Sequence, residues 1–279
     1  MLEFQLFRLK VFLSGQTFLF QPQRTRAETL RTTILTLPSA RLRKENVWHI
    51  GNVVKLDDQG MYFRIGRTSR LTFGSYHDGN FGDEEFETAP YTHAVLDVEL
   101  GVCALARKPQ LAPKTQGIAH QLGRLLNHAV RGAEAFVMFE IAEIADPEDF
   151  VTHLRQALAI SRFWVTVSRP NPFDENEDFI KPFQKLLAES DANKARAQVD
   201  GVNLKTEVIE ELARSAASVG NDAGATLIEP EGRRVRKRLR GNSVSVTQED
   251  VGDEQSLQDL IHLIRQTYRN IRMKSEPEE

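Results

Sequence analysis

The 279-residue sequence predicts an α+β protein: a mixed or antiparallel sheet domain with flanking helices, followed by a small C-terminal module. Three observations carry this. Short apolar or alternating runs bounded by Gly, Asp and Pro recur along the chain, as strands do. Some of these runs lie next to one another as hairpins, whereas others alternate with stretches of helical period, a mixture typical of the α+β class. A polar stretch of low hydrophobicity, "DANKARAQVDGVN", divides a sheet-based part over 1–190 from a smaller part over 204–274.

Taken in order, "EFQLFRLKVFL" reads as a strand, and "TRAETLRTTILTL" as a helix opened by a capping box of Thr25 and Glu28 and stopped near Pro38. "VWHIGNVVKL" and "GMYFRIGRT", joined through "DDQG", form a hairpin. "SYHDGNFGDEEFETAP" reads as a polar, acidic loop, and "YTHAVLDVEL" and "VCALARK" as two further strands. "TQGIAHQLGRLLNHAV" is a helix with Ile118, Leu122, Leu125 and Leu126 on one side, and "EAFVMFEIAEI" is a strand. In "DPEDFVTHLRQALAI" Asp146 caps a helix, Pro147 occupies its first turn, and acids sit at its positive end. "RFWVTVS" is a strand, and "RPNPFDENEDFIKPFQKLLAES" an irregular turn that becomes a helix. Past the linker come a helix, "TEVIEELARSAASVG", a strand, "AGATLIE", and a basic hairpin. The last element is an amphipathic helix striped by Leu257, Leu260, Ile261, Ile264, Tyr268 and Ile271, ahead of a polar tail.

The composition bounds the function. Hydrophobic residues at 41% and charged residues at 27% suffice for an ordinary core and exclude wholesale disorder. A net charge of -3 excludes a histone-like coat of cations. The single cysteine, Cys103, excludes an internal disulfide and a cysteine metal cluster and points to a reducing cytosol. Glu3, Arg8 and Lys10 interrupt any signal-peptide core, and no run approaches the roughly 18 apolar residues of a membrane span. A cytoplasmic protein with no membrane partner and no cofactor is the expectation.

Against that acidic background, "RRVRKRLRGNSVSVT" stands out. With Gly241-Asn242 as a two-residue turn, Leu239 falls opposite Val244 and Lys237 opposite Val246. Period two then places Val235, Leu239, Val244 and Val246 on one face. Arg234, Arg236, Arg238 and Arg240 share the other with Ser243, Ser245 and Thr247. Same-face residues on a strand are about 6.7 Å apart, close to the interval between successive phosphates on a nucleic-acid strand. Arginine supplies a bidentate fork for phosphate oxygens, and small hydroxyls add backbone contacts. The pattern therefore points to DNA or RNA as partner. An acidic protein partner, docking on an acidic run of the same chain, and a solvated strand guarded against aggregation are the competing readings. Arg265, Arg269 and Arg272 follow at i, i+4 and i+7 on the last helix and either extend the patch or simply face solvent.

Catalytic chemistry has one fallback. His93, Asp97 and Glu99 share a face of "YTHAVLDVEL", a residue set suited to a divalent metal or to acid–base work, although such a row is more often the wet side of a half-buried strand. No catalytic or metal motif is assigned. The Glu-x-Lys and Asp-x-Lys pairs of one nuclease class are missing, as are a P-loop and a dinucleotide glycine fingerprint. In "DENEDF" Phe179 replaces the glycine a calcium loop needs.

Three phrases, "WHIGNVVKLDDQGMYFRIGRT", "DEEFETAPYTHAVLD" and "ISRFWVTVSRPNPF", together resemble an uncharacterised family of bacterial proteins of mobile-element or antiphage-defence loci. The likeness spans roughly residues 45 to 185. It implies an accessory or defence role and transfers no catalytic residue. The basic stretch lies outside it. The leading expectation is thus a non-enzymatic nucleic-acid-binding accessory protein. A nuclease or effector using the His93 face and an interaction scaffold or homo-oligomer are the alternatives.

Overall fold

A computed structural model describes residues 1–13, 24–43, 46–131, 137–168, 187, 190, 192 and 194–272. The turn and helix expected over 169–190 fall almost wholly outside the described residues, and the polar tail after residue 274 wholly so.

The α+β class holds: the described residues form two antiparallel sheets with five flanking helices. The larger sheet has nine strands, β1 (Leu2–Leu13), β2 (Ser39–Arg43), β3 (Asn46–Lys55), β4 (Gly60–His77), β5 (Asn80–Thr88), β6 (Tyr91–Asp97), β7 (Val102–Ala106), β8 (Val137–Glu143) and β13 (Ser245–Gln248). Its main path runs β13-β1-β7-β6-β4-β3-β2, with β5 added to β4 and β8 to β1. The smaller sheet is β10-β9-β11-β12, built from β9 (Ala159–Ser168), β10 (Lys194–Asp200), β11 (Ala223–Ile228) and β12 (Arg234–Arg238).

β1 carries large apolar residues on both faces because it lies inside the large sheet and separates two cores. Phe7, Leu9 and Val11 face one core, which holds α1 (Arg26–Leu35) and α2 (Thr115–Ala129). Phe4 and Leu6 face the other, shared with α3 (Glu148–Gln156), α4 (Thr206–Ser218), α5 (Glu254–Arg272) and the inner face of the small sheet. The Thr25–Glu28 capping box opens α1 as expected. Asp146 Oδ1 accepts from the Glu148 amide at the start of α3. All six residues of the predicted α5 stripe are buried.

Four expectations are corrected. First, the basic stretch is not a hairpin closed at Gly241-Asn242. β12 pairs with β11, and β13 pairs with β1 in the other sheet. Period two says which side chains share a face but does not name the partner strand. β11 offers β12 a five-pair ladder from Ile228↔Arg234 to Gly224↔Arg238. Gly241 serves close backbone approach instead, since a Cβ there would lie 2.1 Å from the Asp146 carbonyl oxygen.

Second, the division between 1–190 and 204–274 is crossed by both sheets, through β9 with β11 and β1 with β13. Third, the linker contains β10, paired with β9 over seven residues. It is poor in large apolar residues because it is an edge strand: Ala195 and Ala197 face inward, while Lys194, Arg196, Gln198 and Asp200 face out.

Fourth, the loop at 75–90 is mostly strand. Asp78 (φ 51°) and Gly79 (φ 82°) form a tight turn with both central residues left-handed, which joins β4 to β5 as a two-residue hairpin. From Ser69 onward β4 pairs only with β5 among the described residues, so 69–88 extends beyond the sheet as a two-stranded arm.

Candidate nucleic-acid interface

The basic strand acquires its meaning from the sheet it joins. β12 is an edge strand whose exposure alternates, with Arg234, Arg236 and Arg238 exposed and Val235 and Lys237 half-buried. The predicted split between arginines and inward residues is therefore present, on a different partner strand. Lys237 turns toward α3, where its Nζ lies 3.2 Å from His153 Nε2.

The register extends the arginine face across the sheet. Arg234, Arg236 and Arg238 lie beside Ile228, Thr226 and Gly224 of β11. Gly224 and Thr226 lie beside Trp164 and Arg162 of β9. Trp164, Arg162 and Thr166 then lie beside Gln198, Asp200 and Arg196 of β10. Opposite this face, Phe163, Val165, Val167, Ala225 and Leu227 enter the core. The outer face thus collects Arg162, Lys194, Arg196, Arg234, Arg236 and Arg238 around one half-buried tryptophan. Asp200 is the carboxylate among these outer positions, and it accepts from Arg162 Nε at 2.5 Å. The three β12 arginines make no ion pair among the described residues.

Trp164 is held in place by its neighbours. Its indole leans across β11 over Gly224, where an added Cβ would come 2.8 Å from Cζ2, so only glycine leaves it room. The Arg196 guanidinium lies 4.1 Å from the ring centroid and that of Arg238 5.9 Å, both within cation–π range. The indole and its two neighbouring guanidiniums thus combine an aromatic surface with anion-pairing groups on a cationic sheet.

Not all seven predicted contact residues gather here. Arg240 is exposed beyond the end of β12 and lines a separate cleft of about 960 Å³ with Arg107, Lys114 and Asn242. Ser243 is half-buried and bridges to Ala145. Ser245 and Thr247 are exposed on β13, in the other sheet. The three hydroxyls expected beside the arginines on one face do not lie there, because β12 and β13 belong to different sheets. Sequence reading missed Arg162, Trp164, Lys194 and Arg196. Their signal was the alternation of "RFWVTVS" and "KARAQVD", which puts these four on the outward face of adjacent strands.

The fallback catalytic set does not assemble. His93, Val95 and Asp97 do share a face of β6, but that face lies under α5 rather than in water. Asp97 is wholly buried and accepts from Arg265 Nε at 2.6 Å and from the Leu100 amide at 2.8 Å. Arg265 also donates twice to Asp57, at 2.7 and 3.0 Å, so it clamps α5 to two turns of the large sheet and does not extend a surface patch. The Arg265 guanidinium, helped by the amides of Gln59 and Gly60, holds the Asp57 carboxyl far below the usual carboxylate range despite partial burial. His93 Nδ1 lies 2.8 Å from Tyr62 Oη, which also accepts from Arg64 Nε. Burial, then the charges of Arg64 and Lys108, push the His93 pKa below its ordinary value. Glu99 is exposed in the turn after β6. No group of three or more His, Cys, Asp or Glu among the described residues is arranged to hold a metal ion.

A second buried ion network is structural. Arg214 of α4 donates to Glu148 of α3 at 2.7 Å, and Arg155 of α3 donates to Glu210 of α4 at 2.6 and 3.0 Å. Burial alone would raise the Glu210 carboxyl, but the two guanidiniums outweigh it and hold the pKa low.

Neither a known family model nor a curated protein matches the chain. No helix among the described residues is long and apolar enough to cross a membrane.

Proposed function

We propose that the protein binds single-stranded nucleic acid on the open face of its four-stranded sheet, as a non-enzymatic accessory protein of the cytoplasm. The observation that carries this reading is the juxtaposition of the Arg234, Arg236 and Arg238 row with Trp164, itself set between Arg196 and Arg238. Unpaired bases stack on aromatic side chains and guanidinium planes, while the backbone follows a cationic track. A duplex keeps its bases stacked inside and offers the tryptophan nothing to stack on. The chemistry of base stacking and phosphate pairing is common to DNA and RNA. On the resemblance of residues 45–185 alone, the setting we propose is a bacterial defence or mobile-element system.

Fluorescence anisotropy with labelled single strands and duplexes over a salt series tests the proposal. Single strands should bind more tightly than duplexes of the same length. Log affinity should fall with log salt by about 0.7 for each phosphate neutralised. Replacing Arg236 and Arg238 together by Ala should weaken binding to every sequence and flatten the slope by about 1.4. Absence of binding at low salt, or a double variant with unchanged affinity and slope, would refute the reading.

A further inference from the structure

We propose that the β4–β5 arm is an assembly element that pairs with the free edge of β12 in a second copy of this chain. The arm, residues 69–88, is about 27 Å long at about 3.4 Å per residue. Two-stranded ribbons are at best marginally stable alone in water. This one nevertheless exposes Leu71, Phe73, Tyr76, Phe81 and Phe86, with Phe81 88% exposed. Such an arm calls for a partner, and the chemistry of its two faces says which.

One face of the arm carries Asp83, Glu85 and Glu87 at alternate positions of β5, with the Tyr76–Phe81 ring pair on the same face near the tip and Arg70 of β4 at 3.9 Å from Glu85. The other face is mainly apolar, with Leu71, Phe73 and Phe86, the last two packed edge to face at 5.8 Å, and it also carries Glu84, whose carboxylate is 3.1 Å from His77 Nε2. β12 has the complementary pattern: Arg234, Arg236 and Arg238 at alternate positions on one face, and Val235 and Lys237 on the other. Both rows repeat at about 6.7 Å because both are strands. Each strand has one unpaired edge among the described residues, since β5 pairs with β4 and β12 with β11. Adding β5 to β12 sets three carboxylates beside three arginines on one side of the extended sheet.

The apolar face of the arm then falls on the opposite side, where a cleft of about 760 Å³ opens between β12 and α3. Ala157, Leu227 and Pro230 give this cleft apolar walls. Pairing of β5 with its own copy is disfavoured, because it would bring Asp83, Glu85 and Glu87 against like charge. The contact joins two different surfaces and so runs head to tail, which lets species larger than a dimer build up with concentration. It uses the same arginine row as nucleic acid but does not depend on that reading.

Sedimentation velocity on the full chain, free of nucleic acid, tests the inference. The wild type should self-associate at low salt and dissociate at high salt. Glu85→Arg with Glu87→Arg, and separately Arg236→Glu with Arg238→Glu, should each give a monomer with an unchanged circular dichroism spectrum. Mixing the two variants should restore association, because each then supplies the edge the other's arm needs. A wild type that is monomeric at low salt, or a mixture that stays monomeric, would overturn the proposal. Association that survives both reversals but is lost in Phe86→Ser would assign the arm to arm-to-arm pairing and overturn it equally. The arm reversal should leave single-strand affinity intact at dilute concentration. Loss of self-association and failure to bind nucleic acid are therefore read out separately.

Discussion

Beside the nine-stranded sheet, three cations that reach the interior have partners. Arg8 donates to the Leu100 carbonyl and to Tyr268 Oη, Lys10 donates to Asn221, and Arg265 is shared between Asp57 and Asp97. In the four-stranded sheet, Arg234, Arg236 and Arg238 stand in solvent with no carboxylate within ion-pair distance among the described residues. Where the first sheet is covered on both faces, a buried charge needs hydrogen-bond or ion-pair partners for the protein to fold. The second is covered on one face, and its outward arginines cost nothing to hydrate. Cations in the first place are explained by the fold. Cations in the second are not needed by it, and a ligand or partner is the simplest account of a row of them.

The contrast is broken most directly by mutating both sites. Asp97→Ala removes a buried carboxylate and leaves Arg265 and the Leu100 amide short of a partner. Breaking a buried pair from one side typically costs about 3–5 kcal/mol, and urea unfolding should show a loss of that order. Arg236→Ala, at an exposed position, should change stability by no more than about 0.5 kcal/mol. Equal effects at the two positions would remove the distinction between the sheets.

Trp164→Ala sharpens the comparison on the open side. Single-strand binding should weaken by about 1–3 kcal/mol, the usual range for one stacked base, with duplex binding little changed. Equal loss for both would mean that the indole supports the surface and does not touch bases.

The large sheet also predicts an acid response. Asp57 is held charged in the folded state, well below its unfolded value near 3.8, chiefly by Arg265. Its contribution is therefore fully present above the unfolded value and is lost as pH falls through the folded one. Unfolding midpoints measured from pH 5 downward should drop, and Asp57→Asn should flatten that drop while lowering stability at neutral pH. A parallel pH profile for the variant would show that the clamp carries no charge-dependent stability.

The smallest effect concerns Cys103. It is wholly buried in β7, and burial pushes its thiol pKa up to about 12. It should resist thiol reagents at pH 8 until denaturant opens the sheet, then react at once. Rapid labelling of the native protein would mean that the centre of the large sheet opens readily.

What the sequence made legible follows period. The α5 stripe, the α1 capping box and the outward row of β12 arginines all depend on neighbours a few residues apart, and each is present. Pairing across long separations was not legible: nothing local in "RRVRKRLRGNSVSVT" says that β12 and β13 belong to different sheets, and a Gly-Asn pair is a good hairpin turn when nothing else claims the glycine. The Asp78-Gly79 turn was readable, but the carboxylates around it made the segment look like a loop. Of the candidate interface, half was visible as a count of arginines. The alternation of its strand gave the face of Trp164, but its place in the site was hidden because nothing local says that β10 and β11 are its neighbours.

β1 lies near the start of the chain yet sits between β7 on one edge and β13 and β8 on the other. Its pairing of Leu2 with Gln248 spans almost the whole chain. During synthesis, which runs at about 5–20 residues per second, β1 waits many seconds before its last partner exists. Through that interval a strand with large apolar residues on both sides lacks a finished sheet, the kind of surface that chaperones engage. Long-range pairing of this kind closes later than local pairing, so the yield of folded protein is expected to respond to the rate of translation and to temperature as well as to final stability.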